Sequence, residues 1–269
     1  MGLSPDQHSF TKSLYIPYPE CDMHNEWKLS YLMRCVQQIA SDQLDALELP
    51  FDKLFAEGMV FLLSREHIIV HKPLKAGEKI TVTTWPVKAK GAQFRRTILI
   101  TDESGERMAS IFTGWTLADP IQHKILRPSA FPYALNVSDP AEEGEEKIAG
   151  MRPVRAETLE EGISLEVRYS NTDCNRHLNN AVYGDLALDC LPLEVLERQR
   201  PTEFYIQFSR EARYGSRIDT KIGKTENGWY ICGLLGEENS FESNLKKGER
   251  IRFALTRMLR GLGDFENIP

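Results

Sequence analysis

The order of apolar patterns along this chain occurs twice, and that duplication restricts its fold more than any composition figure. In the first pass 14–18 reads as a short strand, with Pro17 marking an edge because proline cannot donate to a sheet ladder. Leu29, Leu32, Met33, Val36, Ala40, Leu44 and Leu47 then recur at i, i+3, i+4, i+7 spacing, which predicts one long amphipathic helix. Strand-like segments follow at 66–71, 79–85, 94–102 and 107–117, separated by Gly-, Pro- and Ser-containing turns. In the second pass a strand at 165–169 precedes an apolar segment at 181–196, and strands are expected at 203–209, 217–224, 229–235 and 251–258.

Scattered identities keep the same order. Tyr18 and Asp22 match Tyr169 and Asp173; Gly77 and Ile80 match Gly215 and Ile218; Gly105-Glu106-Arg107 with Thr113 matches Gly248-Glu249-Arg250 with Thr256. A sheet with one apolar face wrapped around one long helix is a stable layer solution, and two such units can pair their sheets edge to edge. The expected class is therefore α+β, two helix-in-sheet domains in 269 residues. Residues 129–153, rich in Pro, Asn and Ser and then acidic at Ala141-Glu142-Glu143-Gly144-Glu145-Glu146, are the expected linker between domains at 1–128 and 154–269.

Composition removes several function classes. A net charge of -6 argues against a nucleic-acid partner, which calls for a basic face. No apolar run approaches the roughly 18 residues needed to cross a bilayer, so no membrane partner is expected. The first six residues show no basic or apolar targeting region, and five scattered cysteines form no Cys-x-x-Cys pair, which together point to a reducing cytoplasm. His67, His71 and His123 have no partners at metal-ligand spacing, and no GxGxxG or P-loop pattern occurs. No metal and no cofactor are expected.

The densest chemistry lies at Asp173-Cys174-Asn175-Arg176-His177-Leu178-Asn179-Asn180, between a strand and a helix. If the stretch is extended, Asp173, Asn175 and His177 share a face and Cys174 and Arg176 point the other way. A carboxylate, an amide and an imidazole together can orient a carbonyl, place water and move protons near neutral pH. First-turn N–H groups of the following helix can stabilise an oxyanion. Against this stands plain turn chemistry, in which Asn179 or Asn180 only caps the helix. The first copy, Asp22-Met23-His24-Asn25-Glu26-Trp27, keeps the Asp and lacks the Asn and His at matching places.

The segment from Asp173 to Tyr183 resembles the active-site motif of the acyl-[acyl-carrier-protein] thioesterases, and Phe208-Ser209-Arg210-Glu211-Ala212 resembles their second motif. The resemblance extends over nearly the whole chain. It implies two tandem hot-dog domains, with catalysis in the second and the acyl pocket largely in the first. It implies hydrolysis of a fatty acyl thioester carried on acyl-carrier protein, with Asp173, Asn175, His177 and Glu211 as the catalytic set. Taken alone, Glu211 would read as a surface ion pair with Arg210 or Arg213. The cysteine of plant members falls on Ala212, so no thiol nucleophile stands there. Direct attack by water is expected, with Glu211 or Asp173 assisting His177 and with Asn175 and helix N–H groups holding the thioester oxygen. Either carboxylate remains a candidate base.

The same resemblance places an acyl slot between the first helix and its sheet, with Leu29, Leu32, Met33, Val36 and 59–63 as candidate walls. An acidic carrier calls for a local cationic rim, and Lys72, Lys75, Lys88, Lys90, Arg95 and Arg96 are the candidates. The chain is expected as a monomer or a homodimer. The competing readings are an acyl-CoA thioesterase, a hot-dog protein that binds acyl groups without hydrolysis and, ranked below both, a hydratase.

Overall fold

The computed structural model describes residues 2–3, 8–122 and 124–249. Strands β1 (Gly2–Leu3) and β2 (Phe10–Tyr15) precede helix α1 (Leu29–Ala46) and the short α2 (Phe51–Ala56). Strands β3 (Val60–Val70), β4 (Lys79–Lys90), β5 (Gln93–Thr101) and β6 (Arg107–Asp119) form a meander, with β7 (Lys124–Ile125) beside β6. After α3 (Glu143–Lys147) the second half contains β8 (Glu160–Glu166), α4 (Val182–Asp189), α5 (Leu193–Arg198), β9 (Gln199–Phe208), β10 (Arg217–Thr225), β11 (Gly228–Leu235) and β12 (Glu238–Glu249).

All these strands join one antiparallel sheet in the order β1-β2-β4-β5-β6-β3-β9-β12-β11-β10-β8, with β7 on β6. The two halves are the same motif, β2-β4-β5-β6-β3 and β8-β10-β11-β12-β9, fused where β3 meets β9 through Glu66↔Ile206 and Ile68↔Phe204. The expected edge-to-edge pairing of two helix-in-sheet units is what the chain adopts. Both helix layers share one core: Leu29, Leu32, Met33 and Val36 of α1 pack with Leu186 and Ala187 of α4 and with Ile68, Ile111, Phe204 and Ile231 of the sheet. Gly184 lets α1 approach closely, since a Cβ there would sit 2.7 Å from the Met33 sulfur. Among the described residues no helix is long and apolar enough to cross a membrane.

Two elements differ from expectation. The second central helix is short, because Pro192 and the bend before it divide 181–196 into α4 and α5. Strand β12 was not anticipated. Its residues are mostly polar, and only Phe241 and Leu245, with Ser243 between them, turn an apolar face inward. The strand expected at 251–258, and with it the pairing of Arg250 and Thr256 with Arg107 and Thr113, lies outside the described residues, as does His123. The match of Gly105-Glu106 with Gly248-Glu249 does not hold, because the first pair precedes β6 and the second ends β12; the counterpart of Gly105 is Gly236, which also has positive φ and precedes β12.

The acidic segment after residue 137 is laid across the outer face of the sheet as a strap. Lys88 donates its N–H to the Ser138 carbonyl; Glu145 is buried and accepts from Thr97 Oγ1 at 2.5 Å and from the N–H groups of Ala141 and Glu142. Ile148 packs with Phe112 and Tyr205, and Val154 exchanges two hydrogen bonds with the Asn244 side chain. The strap touches strands of both halves.

Candidate active site

The 173–177 stretch is a tight turn, not an extended strand. Asp173 N–H donates to the His177 carbonyl at 2.9 Å, Arg176 N–H to the Asp173 carbonyl at 3.0 Å, and Arg176 adopts φ 63°. Alternation therefore does not govern which side chains meet; the turn itself brings Asp173 and His177 back to back. Asp173 Oδ1 accepts from Asn175 N–H at 2.9 Å and reaches His177 N–H at 3.5 Å, so one oxygen of this carboxylate organises the loop. Cys174 is exposed.

The second motif is brought to the first by backbone pairing. Leu178 N–H donates to the Ala212 carbonyl at 2.7 Å, and His177 and Arg213 form an antiparallel bridge. This places Glu211 Oε2 3.3 Å from His177 Nδ1. The His177 side chain is 20% exposed and that of Glu211 is 49% exposed, so the pair is open to water from one side. Among the described residues Glu211 makes no ion pair with Arg210 or Arg213, and Arg210 is ion-paired with Glu238. Asn175 is exposed, and among the described residues its side-chain amide makes no hydrogen bond, which leaves it free for a substrate. Asn179 has the capping role: its Oδ1 accepts from Ala181 N–H at 2.9 Å and its carbonyl from Val182 N–H at 2.9 Å. The N–H groups of Ala181, just before α4, and of Val182, its first residue, are thereby taken.

Two supporting residues carried no sequence signal for this role. Tyr183 of α4 is buried, with its hydroxyl 3.2 Å from Ser240 Oγ, and Ser240 Oγ donates to the Arg210 carbonyl at 2.9 Å. Ser209 and Arg210 N–H groups also donate to the Ser240 carbonyl. The strand-end residue Ser240 thus clamps the segment that carries Glu211, and Phe208 packs edge-on against Tyr183. Burial raises the Tyr183 phenol above its ordinary value; hydrogen bonds from Ser240 and Ala212 oppose this, and the nearby Glu211 and Asp173 charges add to it. The phenol therefore stays protonated as a fixed dipole.

Family models match both halves of this arrangement: the acyl-ACP thioesterase N-terminal domain over residues 7–128 and the acyl-ACP thioesterase C-terminal domain over residues 155–250. The chain belongs to the acyl-ACP thioesterase family. A relative within reach of sequence comparison is the chloroplastic palmitoyl-acyl carrier protein thioesterase of Arabidopsis thaliana, 23% identical over 180 residues, which are 64% of this chain and 43% of that protein. The chain spans about 43% of the length of the curated relatives it matches first. Among solved structures, an acyl-ACP thioesterase from Bacteroides thetaiotaomicron superposes with a TM-score of 0.78 at 17% identity, over 91% of this chain and 100% of that one. The 12:0-ACP thioesterase from Umbellularia californica gives 0.75 at 16% identity, over 90% and 94%. These likenesses establish the tandem hot-dog fold.

The first copy of the loop has the same backbone and different chemistry. Asp22 Oδ1 accepts from His24 N–H at 2.8 Å and Glu26 N–H at 3.0 Å, Asn25 adopts φ 61°, and Trp27 N–H donates to the Leu74 carbonyl at 2.7 Å. His24 stands where Asn175 does, Glu26 where His177 does, and Pro73 where Glu211 does. Among the described residues of this family member, no group of three His, Cys, Asp or Glu side chains is placed to hold a metal. His67 lies against Glu203 at 2.9 Å and His71 against Ser110 at 2.9 Å.

Two expectations are corrected. The cationic rim is not built from all the residues named for it: Arg95 and Arg96 are buried, Lys72, Lys88 and Lys90 are ion-paired with Glu106, Asp139 and Glu146, and Lys75 is exposed with no ion pair among the described residues. Arg96 points inward with Ile98 and Ile100, donating to Gln43 and Thr84, while Arg95 on the other face is covered by the strap through the Glu145 carbonyl. Leu29, Leu32, Met33 and Val36 are close-packed core, not slot walls. A cavity of 410 Å³ opens at the other end of α1, with Leu44, Leu54, Phe94 and Phe131 among its walls together with Met59, Val60 and Phe61 of the expected 59–63 segment.

Proposed function

We propose that this chain hydrolyses the thioester of a fatty acyl group borne on acyl-carrier protein, releasing free fatty acid and the carrier thiol in fatty acid biosynthesis. The 3.3 Å approach of Glu211 to His177 Nδ1 carries the reading. With Glu211 accepting from Nδ1–H, the imidazole presents Nε2 as the base. Nε2 takes a proton from water while the water oxygen attacks the thioester carbonyl. The tetrahedral oxyanion is held by the Asn175 amide, since Asn179 already occupies the N–H groups of Ala181 and Val182. Collapse breaks the C–S bond, and the imidazolium returns its proton to the departing thiolate. Asp173 acts through the loop by fixing Asn175 and His177. Glu211 is the carboxylate that serves the base.

The division of labour that fits this site gives residues 154–269 the chemistry and residues 1–128 the acyl chain. The 410 Å³ cavity supports that assignment. Leu44 at its wall lies roughly 16 Å along α1 from Met33, which packs against α4, at 1.5 Å per residue. Five unpaired thiols suit a reducing cytoplasm.

The test is thiol release from long-chain acyl-carrier protein and from the matching acyl-CoA, by the wild type and by His177→Ala. Release from the carrier substrate, reduced by about 10²–10⁴-fold in the variant, is the expected result. Faster release from acyl-CoA would keep the chemistry and replace the carrier. No release from either thioester by folded wild type would overturn the reading.

A further inference from the structure

We infer that the surface around His177 docks an acidic protein face, that of the carrier presenting the thioester, through Arg176, Arg213, Tyr169 and Tyr214. The inference rests on the carrier-borne substrate proposed above. Arg176 immediately precedes His177 and Arg213 is bridged to it, and both are exposed. Among the described residues neither meets a carboxylate. Their neighbours do: Arg168 pairs with Glu166, Arg210 with Glu238 and Arg217 with Asp219. In a chain of net charge -6 these two guanidinium groups stand without an ion pair among the described residues, at a mouth that also holds the Asp173 and Glu211 carboxylates.

Two aromatic rings complete the surface. Tyr169 is 87% and Tyr214 64% exposed, and hydrogen bonds from Gly215 N–H to the Val167 carbonyl and from Val167 N–H to the Ser216 carbonyl hold their two segments side by side. Exposed Tyr and Arg together are the residue types that anchor protein interfaces. The silent copy provides the comparison. The silent copy keeps an exposed tyrosine, Tyr18 at 69%, at the position of Tyr169 and a cation, Lys75, at that of Arg213; it differs at the other two, with Asn25, of nearly the same φ, for Arg176 and Ala76 for Tyr214. A left-handed residue is commonly Asn or Gly, so turn geometry alone does not call for arginine at 176. A cation there is explained by what it meets outside the chain.

The experiment compares wild type with an Arg176→Asn/Arg213→Gln double variant on three substrates: acyl-carrier protein, acyl-CoA and a carrier-free acyl thioester of N-acetylcysteamine. The expected result is a loss of about 10-fold or more in kcat/KM for the carrier-borne substrate, carried by KM and accompanied by a weaker salt dependence. The losses on the other two should be markedly smaller. An equal loss on acyl-CoA would overturn the inference in favour of the phosphate groups of the thiol arm. An equal loss on all three would make the arginines part of the catalytic geometry, and no loss on the carrier substrate would remove the dock. Fluorescence anisotropy of labelled holo-carrier protein reads docking without turnover. Wild type that binds the carrier with variant-sensitive affinity and hydrolyses nothing would sink the hydrolase reading and keep the dock, whereas equal carrier affinity of both proteins would sink the dock.

Discussion

The loops at 22–26 and 173–177 have one backbone and two chemistries. Each begins with an Asp whose Oδ1 collects N–H groups two and four residues on, each places its fourth residue near φ 60°, and each pairs with the strand-entry segment before Gly77 or Gly215. What differs is what the scaffold presents: His24, Glu26 and Pro73 in one copy, Asn175, His177 and Glu211 in the other. The Asp common to both is explained by the turn. The imidazole–carboxylate pair is not, and that is why it is the better marker of function.

The largest effect that can break this comparison is catalytic. Glu211→Ala should lower kcat on the carrier-borne thioester by at least about 10²-fold without unfolding the protein, because Glu211 is half exposed. Truncating Glu26 of the silent copy should leave kcat within about 2-fold. Steady-state thiol release on both variants checks the contrast.

A second difference lies at the junction of the halves. Glu66 occupies in β3 the place that Phe204 occupies in β9, and it is fully buried with neither carboxyl oxygen hydrogen-bonded among the described residues. Burial raises its carboxyl from 4.5 to about 8. The folded chain keeps this proton where the unfolded chain has lost it, so stability is highest below pH 4.5 for this group and falls as pH rises towards 8, by about 1.4 kcal/mol per unit. Glu66→Gln should remove that slope. Urea midpoints of both proteins at pH 6 and pH 8 measure it, and parallel curves would refute the assignment.

Smaller effects sharpen the loop comparison. Asp22→Ala and Asp173→Ala should each cost about 1–3 kcal/mol of stability through the lost hydrogen bonds, and only the second should also reduce kcat. Arg176→Asn should raise stability by up to about 1 kcal/mol, since Asn accepts the left-handed conformation more readily than Arg. Thermal unfolding of the three variants provides the comparison.

Much of this was legible in the residues. The period of α1 is strong because eighteen residues carry one face, and Gly77 and Gly215 mark equivalent turns, each with its N–H on the carbonyl of the strand before the loop, Ile16 or Val167. The proposed catalytic set rests on its motif. Its geometry was not legible: alternation assumed an extended strand, whereas a turn with Arg176 at φ 63° sets the Asp173 carboxylate on the backbone N–H groups of Asn175 and His177, and it is Glu211 from the second motif whose side chain approaches His177. The rim was misplaced because adjacent Arg95 and Arg96 look like surface charge, while β5 sends one inward and the strap covers the other. Strand β12 was hidden because three of its polar residues are buried by separate contacts: Glu242 by Arg155 of the strap, Ser240 by Tyr183 and the Arg210 carbonyl, and Ser243 on the inward face between Phe241 and Leu245. The clamp by Tyr183 and Ser240 depends on a contact across 57 residues that no local pattern announces.

The central claim is that Glu211 and His177 act as one unit in the second copy. A double-mutant cycle with Glu211→Gln, His177→Ala and the combination, measured as kcat for thiol release from acyl-carrier protein, tests it most directly. The account predicts that the double variant is no slower than His177→Ala alone, because the carboxylate has no role once the imidazole is gone. Losses that multiply would show two independent contributions and contradict it.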